Sequence, residues 1–210
     1  MVSEPSGTWQ STTHDWGRDV DTEHLARVRR DPGVFAPGGV THLILEVLAY
    51  AADEAEWTGA TGRCGVTLHA DGSVSVDDDG RGTDTRHDAE SQPIRKPVMA
   101  TRDLRFFDSP DAQQLPDGHP RRGMSAVAAL SRWLVHTNRR RDGAWTQRYE
   151  HGVPVTGLLP IPDQDTTGTT VHFLPAVSVR AMQEVSPSVL WQATGVWPHL
   201  AVEVVDDRAI

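Results

Sequence analysis

A strand-like run, Ser73-Val74-Ser75-Val76, ends in Asp77-Asp78-Asp79 and passes at once into Gly80-Arg81-Gly82. A carboxylate at a strand end is a strong hydrogen-bond acceptor held in a fixed place, and the glycines let the backbone turn tightly and come close to a flat ligand. Upstream, Glu46, Tyr50 and Glu54 recur every four residues, the spacing that stacks side chains on one face of a helix. A glutamate there can act as a general base on water if it is held within hydrogen-bond reach and partly desolvated. The residue types therefore combine recognition at Asp78 with a candidate base at Glu46.

These groups need a frame. Val40, Leu43, Ile44, Val47, Leu48, Ala51, Ala52 and Ala55 fall at helical spacing, so residues 40 to 55 are predicted as a helix with one buried side. A shorter helix is predicted from Thr22 to Arg30, capped by Asp21 or Thr22. Two alternating runs, 66 to 69 and 73 to 76, flank Asp71-Gly72 and predict a hairpin. A second apolar helix is expected from about Met124 to Leu134. Strands are expected over 133 to 136 and 145 to 149, around a turn at Arg139-Arg140-Arg141-Asp142-Gly143. A further strand is read over 169 to 174, a helix near 188 to 194 and a last strand over 201 to 205. Residues 83 to 122 are polar and broken by five prolines, which reads as a lid, because loops of such length are usually functional or disordered. Residues 1 to 20, with Trp9 and Trp16, read as a flexible arm before one domain over 21 to 210.

Composition narrows the function classes. At 210 residues and 38% apolar content the chain supports one sizeable core. A net charge of -9 leaves no basic stripe to neutralise several phosphates, so direct nucleic-acid binding is disfavoured. Cys64 is the single cysteine, which excludes an internal disulfide and a cysteine zinc site and suits a reducing cytoplasm. With no secretory start and no bilayer-length apolar stretch, a cytoplasmic, membrane-free location is expected.

Several stretches together resemble the ATPase domain of gyrase B and topoisomerase IV, within the GHKL superfamily. They are Val28-Arg29-Arg30-Asp31-Pro32-Gly33-Val34-Phe35; Glu46 with Asp53-Glu54-Ala55; residues 68 to 76 running into Asp78-Asp79-Gly80-Arg81-Gly82; Tyr149-Glu150-His151-Gly152-Val153-Pro154; and Thr167-Gly168-Thr169. The resemblance covers roughly 22 to 208 and implies a Bergerat-type, two-layer α/β sandwich, a mixed, mostly antiparallel sheet with helices on one face. It implies ATP or ADP as ligand, with Asp78 accepting from the exocyclic amine of adenine, Gly80 and Gly82 close to the base, and Thr169 adding a hydroxyl. It places Glu54 and Arg81 as a pair at the rim, and Arg140, with Arg139 or Arg141 as register alternatives, at the mouth. Glu46 matches the family's general base.

The departures fall on the phosphate side. Tyr50 stands where the family has the asparagine that ligates magnesium; a phenol is a poor partner for a hard cation, so metal binding is expected to be lost. The phosphate loop reads Gly118-His119-Pro120-Arg121-Arg122-Gly123, in which Arg121 replaces a central glycine and Pro120 has no amide proton. Arg121 and Arg122 are candidates to offer guanidinium groups to a phosphate instead. No transducer domain, the family's source of a lysine to the terminal phosphate, is expected here. The family dimerises through its N-terminal arm, which makes Trp9 and Trp16 candidate homodimer contacts. The leading expectation is a gyrase-B-like adenine-nucleotide-binding domain with absent or weak hydrolysis. The alternatives are an ATPase with rewired ligands at Asp53 or Asp78, or one completed by a partner chain, and a non-enzymatic scaffold that acts through a protein partner or captures gyrase-type inhibitors. Topoisomerase activity is not expected from this chain alone.

Overall fold

The computed structural model describes residues 20–83, 86–87, 93–94, 97–107, 112–141, 143–162 and 165–208. The arm with Trp9 and Trp16 lies outside the described residues except for Val20, and the region read as a lid over 83 to 122 lies only partly inside them.

Helix α1 (Thr22–Arg30) starts where the Asp21 carboxylate accepts from the His24 amide at 3.0 Å, and it closes on Arg27, Arg29 and Arg30, whose charge suits the negative end of the helix dipole. Helix α2 (Pro32–Phe35) carries proline in its first turn. Helix α3 (Gly39–Thr58) stops at Gly59, whose amide closes on the carbonyls of Ala55 and Glu56. Strands β1 (Gly62–Leu68) and β2 (Val74–Asp78) form the hairpin, with Leu68 opposite Val74 and Cys64 opposite Asp78. The two-residue strands β3 (Arg86–His87) and β4 (Pro93–Ile94) pair with each other. Then come α4 (Met124–Ala129), β5 (Ser131–Arg140), β6 (Gly143–Glu150), β7 (Val153–Pro154), β8 (Leu159–Pro160), β9 (Gly168–Pro175), α5 (Val177–Arg180), α6 (Pro187–Thr194) and β10 (Leu200–Asp206).

Eight strands make one sheet in the order β10-β1-β2-β9-β5-β6-β7, with β8 also on β6. Strand β10 runs parallel to β1, and the other pairings in this sheet are antiparallel. Alternate strand residues, among them Val66, Leu68, Val76, Leu134, Val171 and Phe173, turn inward and meet Leu25, Leu43, Ile44, Leu48 and Val127 of the helices. Each such side chain contributes about 1.5–3 kcal/mol on burial. The result is the expected α/β sandwich with a mixed, mostly antiparallel sheet. Among the described residues no helix is long and apolar enough to cross a membrane.

Three local readings are corrected. The helix predicted to run to Leu134 ends at Ala129: the Ala176 amide takes the Leu130 carbonyl at 2.8 Å and Ser131 pairs with Pro175, so sheet pairing overrides the apolar helical pattern. Arg139 and Arg140 sit in β5, opposite Ala144 and Gly143, rather than in the turn. Helix α3 is buried on nearly all sides from Gly39 to Ala49, because packing of α4, α5 and the 112–123 segment encloses its N-terminal half. Within 83 to 122, Met99, Phe107 and Leu115 join the core.

Gly168 opens β9 with φ +126°, and a Cβ there would stand 1.9 Å from the Asp78 carbonyl oxygen. Gly168→Ala is therefore expected to lower stability by at least about 2 kcal/mol in urea unfolding, whereas Gly157→Ala, with open space around it, should change it by less than about 0.5 kcal/mol.

Candidate functional site

A cavity of about 420 Å³ lies between α3 and the sheet, within the usual size of small-molecule sites. Tyr50, Ala51 and Glu54 line it from α3, Cys64, Val76, Asp78 and Thr169 from β1, β2 and β9, and residues 79–83 from the loop after β2. His136, Gln147 and Tyr149 line it from β5 and β6, Met124 from the start of α4, and Met99 from the chain before it.

Asp78 is tightly organised. The Thr169 hydroxyl donates to its Oδ2 and the Gly80 amide donates to its Oδ1 at 2.9 Å. Desolvation pushes its carboxyl above the ordinary range, against those two bonds, which favour the charged form. The loop that follows is pinned by Asn138, a buried residue of β5 whose amide oxygen accepts from the Thr83 amide at 2.6 Å and whose nitrogen donates to the Thr83 carbonyl at 3.1 Å. Gly82 adopts φ +74° there, and a Cβ would collide with the Arg139 carbonyl oxygen at 2.5 Å. Arg140 donates to the Gly82 carbonyl at 3.2 Å, which ties it to the same loop. At the rim the Arg81 side chain and amide both donate to Glu54 Oε1, at 2.9 and 3.1 Å, and the Arg81 guanidinium lies 4.6 Å over the exposed Trp57 ring.

The other end is arranged differently. Glu46 does not line the cavity: it is fully buried, and its carboxylate accepts from the amides of Arg122 and Gly123, the latter at 2.9 Å. His42, one turn earlier on α3, places Nε2 3.5 Å from Glu46 and Nδ1 2.7 Å from Asp117. The longer contact is electrostatic, since Nε2 makes no hydrogen bond among the described residues. Burial alone pulls the His42 imidazole down, but the bond to Asp117 and the Glu46 carboxylate outweigh it and lift the group to about 9.

Tyr50 donates to Asp103 at 3.0 Å, and burial, followed by that carboxylate, pushes its phenol upward. Its hydroxyl is 3.1 Å from where a Cβ on Gly123 would stand, so it abuts the start of α4. Arg121 is 1% exposed, with its guanidinium 4.5 Å from the Tyr50 ring and 4.4 Å from that of Phe106. It donates to Asp53 at 2.8 Å and to Gln113 at 2.9 Å. Gly118, Arg121, Arg122 and Gly123 are absent from the cavity wall.

Known proteins are similar to this chain in sequence. The gyrase B protein of Thermotoga maritima is 35% identical over 174 residues, covering 79% of this chain and 27% of its own length. That of Mycolicibacterium smegmatis is 36% identical over 165 residues, or 76% of this chain and 24% of its own. The corresponding topoisomerase IV protein of Bacillus subtilis is 29% identical over 195 residues, or 89% of this chain and 30% of its own. The chain is a relative of the gyrase B and topoisomerase IV B proteins. It spans about a quarter of the length of the curated relatives it matches, and no protein-family model matches it.

Against the gyrase B resemblance, the residues on the phosphate side do not fit a magnesium ion. The Tyr50 hydroxyl donates to Asp103, one Asp53 oxygen accepts from Arg121, and among the described residues no group of three or more His, Cys, Asp or Glu side chains could hold a metal ion. Of the Arg121 guanidinium, Nη1 is taken by Asp53 and Gln113. His42, Asp103, Phe106, Asp117 and Asn138 are not among the residues that the sequence marks as site candidates. Two of them left a signal: His42 extends the four-residue row of Glu46, Tyr50 and Glu54, and Asn138 is a polar residue at an inward position of an alternating strand. The remaining three act through contacts far along the chain.

The His42 arrangement carries a pH dependence. An imidazole held at about 9 when folded and 6.5 when unfolded stabilises the fold fully below pH 6.5, and this contribution is lost as pH rises through about 9. Denaturant unfolding is expected to show a fall of about 2–3 kcal/mol between pH 6 and pH 9.5 that His42→Gln removes.

Proposed function

We propose that this chain is a gyrase-B-like domain that binds an adenine nucleotide in the cavity and hydrolyses it weakly or not at all. The carrying observation is the ordered Asp78 carboxylate at the cavity wall, flanked by Thr169, Gly80 and Gly82, in a relative of gyrase B. A fixed acceptor of this kind favours adenine, which presents an amine where guanine presents an oxygen. Burial of Glu46 among backbone amides supports weak turnover, because a base must reach a water beside the reacting phosphate. The alternative of rewired magnesium ligands is disfavoured: Asp53 is engaged by Arg121, and Asp78 by Thr169 and Gly80. Cys64 is a buried free thiol, which suits a reducing cytoplasm.

Titration calorimetry tests the reading directly. Asp78→Asn is expected to weaken ATP binding at least about tenfold, whereas Asp77→Asn, on an exposed neighbour, should leave it unchanged; equal affinities for all three proteins would sink the adenine assignment. Replacing EDTA by magnesium should shift ATP affinity by less than about threefold, and a larger gain would restore the metal-dependent alternative.

A further inference from the structure

We propose that the cavity selects the uncharged nucleoside part of its ligand and ignores phosphates, because Glu46 serves as a built-in anion that fills the cradle a phosphate would need. This rests on the adenine reading above and narrows it to a ligand class.

A phosphate is usually captured by free backbone amides and by guanidinium groups. In the loop before α4 neither faces the cavity. The Gly118 amide donates to the Leu115 carbonyl at 2.9 Å, that of His119 to Asp117 at 3.1 Å, and that of Arg121 to the Gln113 carbonyl at 2.7 Å. Pro120 has no amide proton, and the amides of Arg122 and Gly123 both point at Glu46. The backbone amides from Gly118 to Gly123 are thus satisfied without a ligand. The guanidinium of Arg121 is enclosed by the Tyr50 and Phe106 rings and tied to Asp53, and that of Arg122 lies 5.8 Å over Phe35, a core residue outside the cavity.

The cavity wall adds an electrostatic bias. Glu54, Asp78 and Asp79 line it against Arg63 and Arg81, and Arg81 is already paired with Glu54. A polyphosphate would meet a wall that is net negative among the described residues, and any phosphate reaching the loop would have to expel a buried carboxylate from its only amide donors among them. An adenosine-like molecule needs only Asp78, Thr169 and the apolar walls.

The test is calorimetric titration of the full chain, in EDTA, with adenosine, AMP, ADP and ATP, and with guanosine as the control. Adenosine and ATP are expected to bind within about threefold of each other; ATP binding about tenfold or more tightly than adenosine would overturn the inference while leaving the adenine reading intact. Glu46→Ala frees the two amides and is expected to raise the ATP-to-adenosine affinity ratio about tenfold. A loss of folded protein cancels in that ratio, so an unchanged value refutes the role given to Glu46. If no adenine ligand binds, or guanosine binds as well as adenosine, the adenine reading fails and this inference with it.

Discussion

A carboxylate with no exposed surface must find donors, or burial expels it. Glu46 finds them in the amides of Arg122 and Gly123, with the His42 imidazole 3.5 Å away supplying compensating charge. His42 holds Asp117 at 2.7 Å, and the second oxygen of Asp117 accepts from the His119 amide. This relay ties the middle of α3 to the loop that precedes α4. It thereby sets where α4 begins, and with it the path of the chain into β5. The same relay decides the chemistry available at that end of the molecule, since donors that satisfy Glu46 are not donors to a ligand.

Arg121 presents the complementary problem of a buried cation. A guanidinium at 1% exposure keeps its charge only if partners replace water. Asp53 and Gln113 take one nitrogen, and the ring centroids of Tyr50 and Phe106 both lie within 4.5 Å of the guanidinium carbon, an arrangement favourable for a desolvated cation. Nε and Nη2 find no hydrogen-bond acceptor among the described residues, so the stack carries much of the compensation. Tyr50, which stands where the gyrase B resemblance places a metal ligand, is one wall of that stack. The tyrosine and the loop arginine thus pack against each other.

The Asp78 end is built on separate supports. Its carboxylate is fixed by Thr169 and Gly80, its carbonyl lies against Gly168, and the loop beyond it is held by Asn138. None of these contacts passes through Glu46 or Arg121. A change in the loop before α4 therefore leaves the Asp78 end ordered. That separation is the physical ground for proposing base recognition in a domain whose loop before α4 is occupied by its own side chains.

Much of the fold was legible in local spacing. The apolar periodicity of residues 40 to 55, the Asp-Gly hairpin and the Asp21 cap are consequences of neighbours within a few residues, and the structure bears them out in α3, β1–β2 and α1. The boundary between α4 and β5 was not legible, because Leu130 and Ser131 answer to partners in and after β9 rather than to their own helical pattern. The same divide runs through the site. The order of motifs in the sequence by itself determined the kinship with gyrase B, and its spacing put Asp78 at a strand end and Glu46, Tyr50 and Glu54 on one helix. Only the tertiary structure decided that Glu46 faces amides rather than the cavity and that Arg121 pairs with Asp53, through contacts between residues 68 to 77 positions apart. Residue spacing specifies which face of a helix a side chain occupies; what that face meets is decided by the distant segment that packs on it.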